Sequence, residues 1–169
     1  MDPAAYGDSF FSEPGQLCAQ LTFVVRDHAP LLANPRLARA VFRVVRGSAA
    51  VAPGRLWGAL VLPESVRVIA GPGSLPALDE YITALKEQAA DSVLAIIRRA
   101  DDDTLDAVLR YSPVWGGAIY HVWQPGYHTQ PLWSEYRLSN ALYTLARQPV
   151  EAGLARSARE WPWLWLGGE

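Results

Sequence analysis

Apolar residues are spaced along this chain in ways that separate strands from helices. Leu17–Arg26 contains Leu21-Thr22-Phe23-Val24-Val25, a β-branched and aromatic run that predicts a strand. Asp27–Pro35 reads as a loop. Asn34 and Pro35 suit the N-cap and first turn of a helix. Over Arg36–Arg46, Leu37, Val41, Val44 and Val45 form one stripe, and Gly47 is expected to stop it. Arg55–Leu62 and Val66–Ala70 are apolar runs split by Pro63-Glu64. They predict a β-hairpin closed by Gly71-Pro72-Gly73. From Ser74 or Leu75 to Arg99 the spacing of Leu78, Ile82, Leu85, Ala89, Val93 and Ile96 predicts a long helix. Asp101-Asp102-Asp103 interrupts it, and Asp103 suits the cap of a short helix, Thr104–Tyr111. Ser112-Pro113 and Gly116-Gly117 predict a loop, and Ala118–Trp123 a strand. Glu135–Arg147 predicts a last helix, which Pro149 ends. The tail, Trp161–Leu166, is aromatic-rich.

The predicted order is β-α-β-β-α-(α)-β-α. This is the pattern of an α+β fold: a ferredoxin-like split βαβ sheet with helices on one face and a C-terminal helix. Residues 1–16 read as a flexible arm broken by Pro3, Gly7, Pro14 and Gly15, and residues 17–169 as a single domain. Half of the 169 residues are hydrophobic and 19% are charged, which fits a globular chain with a real core. The single cysteine, Cys18, allows no internal disulfide and reads as a small buried residue of a strand. No run approaches the roughly 18 apolar residues of a membrane span. The first residues lack the basic and apolar regions of a signal peptide. The expected location is therefore the cytoplasm, on the nucleoid if the protein binds DNA.

Charge restricts the partners. A net charge of −2 and a pI near 5.9 argue against a strongly basic nucleic-acid binder but leave room for a local patch. The cations are fourteen arginines and Lys86. Arginine is the better phosphate fork, though a GC-rich genome gives the same bias. Arg36, Arg39, Arg43 and Arg46 fall on one face of the first predicted helix.

Three segments add a resemblance. They are Val61-Leu62-Pro63-Glu64-Ser65-Val66-Arg67-Val68, then Val122-Trp123-Gln124-Pro125-Gly126-Tyr127-His128, and finally Gln148-Pro149-Val150-Glu151-Ala152-Gly153-Leu154 followed by Glu160-Trp161-Pro162-Trp163. The chain resembles the REP-associated tyrosine transposases, within the wider single-tyrosine HUH transposase family, from about Leu17 to Trp163. The resemblance implies binding to hairpin or single-stranded DNA. It also implies a divalent metal held mainly by two histidines of the hairpin, and a tyrosine nucleophile on the last major helix.

The chain departs from that pattern at each of these positions. Ser65 and Arg67 stand where the resemblance implies the histidines. A serine hydroxyl is a poor ligand for such a metal and a guanidinium is none. Thr144 stands at the nucleophile position. Tyr143 is its neighbour, but one residue turns a helical side chain by about 100°. Gln148 replaces an asparagine. The expectation is a catalytically inactive DNA-binding protein with no cofactor and no metal. Its expected DNA contacts are Arg36, Arg39, Arg43, Arg46, Arg67, Tyr127 and His128.

Plainer readings stand beside these. Arg67 fits an ordinary ion pair as well as a phosphate grip. The arginine stripe fits a solvated helix face. His128 fits a structural role, and Trp123 fits the core. Trp133, Tyr136, Tyr143, Trp161, Trp163 and Trp165 fit core packing and a homodimer interface as well as base stacking. The four aspartates at 101, 102, 103 and 106 fit a helix start. No phosphate-cradling glycine loop, zinc spacing or serine nucleophile elbow is present. Two alternatives remain: a protein-interaction module on the same fold that has lost DNA binding, and an active single-strand nuclease using Tyr143.

Overall fold

A computed structural model of the chain describes residues 15–100, 110–111, 119–120 and 122–167. Strand β1 (Gln16–Val24) is followed by helix α1 (Pro35–Gly47), the hairpin β2 (Arg55–Leu62) and β3 (Ser65–Ser74), and the long helix α2 (Leu75–Ala100). Among the described residues, strands β4 (Arg110–Tyr111) and β5 (Ile119–Tyr120) form a separate two-stranded sheet. Strand β6 (His128–Leu132), helix α3 (Glu135–Glu151) and strand β7 (Leu164–Leu166) complete the described elements. The main sheet has the order β6-β1-β3-β2-β7, with all neighbours antiparallel. Its four strands β6-β1-β3-β2 are the ferredoxin-like arrangement predicted for the chain, and β7 extends the β2 edge.

Alternation along the strands sorts the core into two layers. Leu21, Phe23, Ala59, Val61, Val66 and Val68 point to one side, where Leu37, Val41 and Val45 of α1 and Ile82, Leu85 and Val93 of α2 cover them. Cys18, Leu60, Ile69 and Leu132 point to the other side, against Leu138, Ala141 and Leu145 of α3. Helices thus cover both faces, with the C-terminal helix alone on its side.

A side-chain cap starts each helix, and of the three only the Asn34 cap is an expectation of the sequence. Asn34 accepts a hydrogen bond from the Arg36 backbone N–H at 3.0 Å, with Pro35 in the first turn of α1. Ser74 does the same for Ala77 of α2 at 3.2 Å, and Ser134 for Arg137 of α3 at 3.2 Å.

Four expectations are corrected. Gly71-Pro72-Gly73 does not close the hairpin, because β3 runs on to Ser74 through a register shift opposite Leu17 and Ala19. Gly71 is needed there: its φ is +127°, and a Cβ would lie 2.6 Å from the Leu17 carbonyl oxygen. Pro149 does not end α3, which continues to Glu151 with Pro149 buried inside it. The stop comes from Gly153, at φ +72°. Its N–H bonds the Val150 carbonyl at 3.0 Å, and the Leu154 N–H bonds the Pro149 carbonyl at 2.8 Å. That pair of bonds is a Schellman cap. The fourth strand of the sheet is β6, not Ala118–Trp123, of which Ile119–Tyr120 pairs with β4 and Trp123 makes one bridge to Val25. Thr104–Tyr111 lies outside the described residues except for Arg110–Tyr111, which is strand rather than helix. Residues 1–14 and the aspartates at 101–103 and 106 also lie outside. No described helix is long and apolar enough to cross a membrane.

Candidate nucleic-acid interface

The β2–β3 turn is locked at its tip. The Val25 N–H donates to the Glu64 carbonyl and the Leu32 N–H to the Pro63 carbonyl, both at 2.8 Å. This fixes the strand that follows. Ser65, Arg67 and Ile69 alternate onto the α3 side of the sheet, and Val66 and Val68 onto the other. Arg67 pairs with Leu60 on one side and Thr22 on the other, and Thr22 pairs with His128. Leu60, Arg67, Thr22 and His128 therefore form one row across four strands. Leu62, Ser65 and Val24 form the next row. No sequence motif points to Thr22, although its place between buried Leu21 and Phe23 marks it as the polar face of β1. His128 enters the row only through the pairing of β6 with β1, which the sequence does not display.

Ser65 is buried and Arg67 half-buried, whereas His128 is exposed. Burial holds the Arg67 guanidinium below its ordinary pKa. The Arg67 Nε and the Gln148 Oε1 are both buried without a hydrogen-bond partner among the described residues. These side chains do not suit a divalent metal. A half-buried cation holds one of the implied ligand positions and a hydroxyl the other. No group of three or more metal-ligating residues occurs among the described residues.

Tyr143 lies on the outer side of α3. Leu138, Ala141, Leu145 and Pro149 are buried under the helix, while Tyr143 is 62% exposed. Its hydroxyl accepts from Arg147 at 3.4 Å, whose guanidinium lies 5.4 Å from the ring centroid and 3.4 Å from Glu151. Thr144 is exposed as well.

The remaining candidates divide between the two sides. Arg36, Arg39, Arg43 and Arg46 are exposed along α1, on the opposite side of the sheet from Arg67. The Arg46 guanidinium stacks 4.8 Å from the Trp165 centroid. Tyr127 also turns to the α1–α2 side, where its hydroxyl donates to Asp79 of α2. Burial and that carboxylate push its pKa up to about 12. Trp123 is core: it packs edge-on against Phe23 at 4.7 Å and donates to the Lys86 carbonyl at 2.9 Å. Lys86 in turn donates to the carbonyls of Gln124 at 3.1 Å and Gly126 at 2.5 Å, fastening the segment that leads into β6. Trp161 and Trp163 are also anchored inward. Trp161 donates to the Val61 carbonyl at 2.9 Å, and the Trp163 carbonyl accepts from the Val61 N–H at 2.9 Å.

This fold is similar to that of a REP-associated tyrosine transposase solved bound to a REP hairpin. The TM-score is 0.57 at 16% identity, covering 97% of this chain and 82% of that one. A proposed transposase from Deinococcus radiodurans is also similar, with a TM-score of 0.46 at 16% identity over 81% of this chain and 94% of that one. No family profile matches the sequence, and neither does any curated protein sequence. The chain thus shares the fold of a transposase.

Proposed function

We propose that this chain is a DNA-binding protein on a transposase fold, which engages hairpin or single-stranded DNA and does not cut it. The observation that carries the reading is the row Leu60–Arg67–Thr22–His128. It sets a fixed cation at the centre of the sheet, where the resemblance implies a metal ligand. A guanidinium there offers a phosphate a charge-assisted hydrogen bond and needs no metal. His128 and Thr22 add donors beside it. The fold is one that holds a DNA hairpin in the similar transposase. Loss of cutting rests on Ser65, Arg67 and Thr144 together, and on the outward position of Tyr143. On this reading the protein works in the cytoplasm, and on the nucleoid when it binds DNA.

Gel-shift and nicking assays with hairpin and single-stranded oligonucleotides, with and without Mg²⁺ or Mn²⁺, test this. Micromolar or tighter binding and intact strands are expected in every condition. Nicking that Tyr143→Phe abolishes would overturn the inactive part.

A second reading has its own observation. Tyr136, Tyr143 and Val150 are spaced seven apart on α3 and are 79%, 62% and 39% exposed. Such a row suits a protein contact, including a second copy of the chain. A stable complex with no salt-dependent DNA affinity would favour that reading.

A further inference from the structure

We infer that α1 forms a second DNA-contacting surface, back to back with the Arg67 face, so that one molecule holds two DNA segments at once. This rests on the DNA-binding reading above and adds a separate site to it.

The sequence of α1, Pro35–Gly47, contains Arg36, Arg39, Arg43 and Arg46 and no Asp or Glu. At about 100° per residue these four fall within an arc of roughly 80°. All four are exposed, and none makes an ion pair among the described residues. The neighbouring helix differs: α2 presents Asp79, Glu80, Glu87 and Asp91 to solvent. In a chain of net charge −2, α1 is therefore a local positive ridge with no ion-pair partner among the described residues.

The chemistry selects a phosphate backbone. From Arg36 to Arg46 the helix rises about 15 Å. A DNA strand places a phosphate about every 3.4 Å, so the ridge spans about four of them. The Arg46 guanidinium lies 4.8 Å from the Trp165 centroid and 6.0 Å from the Phe42 centroid while the residue stays exposed, so the rings steady a cation that still faces solvent. A protein partner would want an apolar centre. No large hydrophobic residue of α1 is exposed.

The second segment follows from position. The apolar stripe of α1 packs on the Phe23–Val66–Val68 side of the sheet, and Arg67 points to the Ile69–Leu60 side. The sheet and the full diameter of a helix, about 10–12 Å, lie between the two cationic surfaces. A short duplex seated on one does not reach the other.

The test uses the full chain, a bead-bound hairpin oligonucleotide and a fluorescent second oligonucleotide. The wild-type protein should capture the second DNA on the beads. Arg36→Gln/Arg39→Gln/Arg43→Gln should lose that capture at least tenfold while the beads still retain the protein. Glutamine is a good helix former, so the helix persists, as circular dichroism would show. In an Arg67→Met background the residual DNA affinity should fall with salt with a log–log slope of about −3. The triple substitution should flatten that slope by about 2. Retention without capture, or capture untouched by the triple substitution, overturns this inference and leaves the DNA-binding reading standing. Equal competition by polyglutamate in the Arg67→Met background overturns the assignment to DNA. No retention on the hairpin at all removes the DNA-binding reading itself.

Discussion

On the side of the sheet covered by α1 and α2, the strands point in Leu21, Phe23, Val25, Val61, Val66 and Val68, all sealed from solvent. On the side covered by α3, the same strands point in Cys18, Leu60 and Ile69, but also Gln20, Thr22, Ser65 and Arg67. One helix covers that side, and it packs directly over Gly58, where a Cβ would sit 3.0 Å from Leu142 and Leu145. The strands supply both layers from the same sequence by alternation. The first layer is built for stability, and the second leaves polar groups on a rigid platform beside a smaller core.

The largest effect that sharpens this contrast is a cavity on the sealed side. Phe23→Ala should cost about 3–5 kcal/mol, and Leu138→Ala on the α3 side about 2 kcal/mol, in denaturant unfolding. Equal losses would break the contrast.

Next comes Arg67→Met. Its Nε is buried without a partner, and such a group costs about 1–3 kcal/mol. Methionine keeps the apolar stem, so the variant should be more stable by about 1 kcal/mol. Thermal unfolding measures this, and a loss of stability would mean that Arg67 has a structural partner.

Alkaline unfolding separates the two sides by pH. Burial pushes the Cys18 thiol from 9.0 up to about 12, and Tyr127 rises from 10.0 to about 12. Both groups favour the folded chain in their neutral form. Their contribution is complete below the unfolded pKa and is lost as pH rises towards 12. Decline should therefore begin just above pH 9 from Cys18, with Tyr127 and the buried Tyr81 joining above pH 10. Cys18→Ala should flatten the first segment of a stability–pH curve and Tyr127→Phe only the second. The smallest effect is that of Tyr143→Phe, which should change stability by less than about 0.5 kcal/mol.

Much of the sealed side was legible, because its signals are local. The stripe Leu37–Val41–Val45, the Asn34 cap and the spacing of α2 each identify an element from within one segment. The edge strands were not. His128-Thr129-Gln130-Pro131-Leu132 buries only Leu132, and its order comes from pairing with β1. Leu164–Leu166 reads only as aromatic tail in the sequence, since three residues carry too little pattern to show a strand. Gly71 and Pro149 look like breaks in the sequence because their usual local meaning is a break. A bulge at Gly71 and a Schellman cap beyond Pro149 place them inside longer elements. The candidate site was half legible: alternation puts Ser65 and Arg67 on one face, but only strand order adds Thr22 and His128 and sends Tyr127 to the other side.

The proposed DNA binding turns on Arg67 and needs no metal. Its most direct test is the dissociation constant of a hairpin oligonucleotide for the wild-type and Arg67→Met proteins, measured side by side in EDTA. The wild-type protein should bind at micromolar concentration or tighter, and the variant at least tenfold more weakly. Binding that requires a divalent metal, or a variant that binds as well as the wild type, would contradict it.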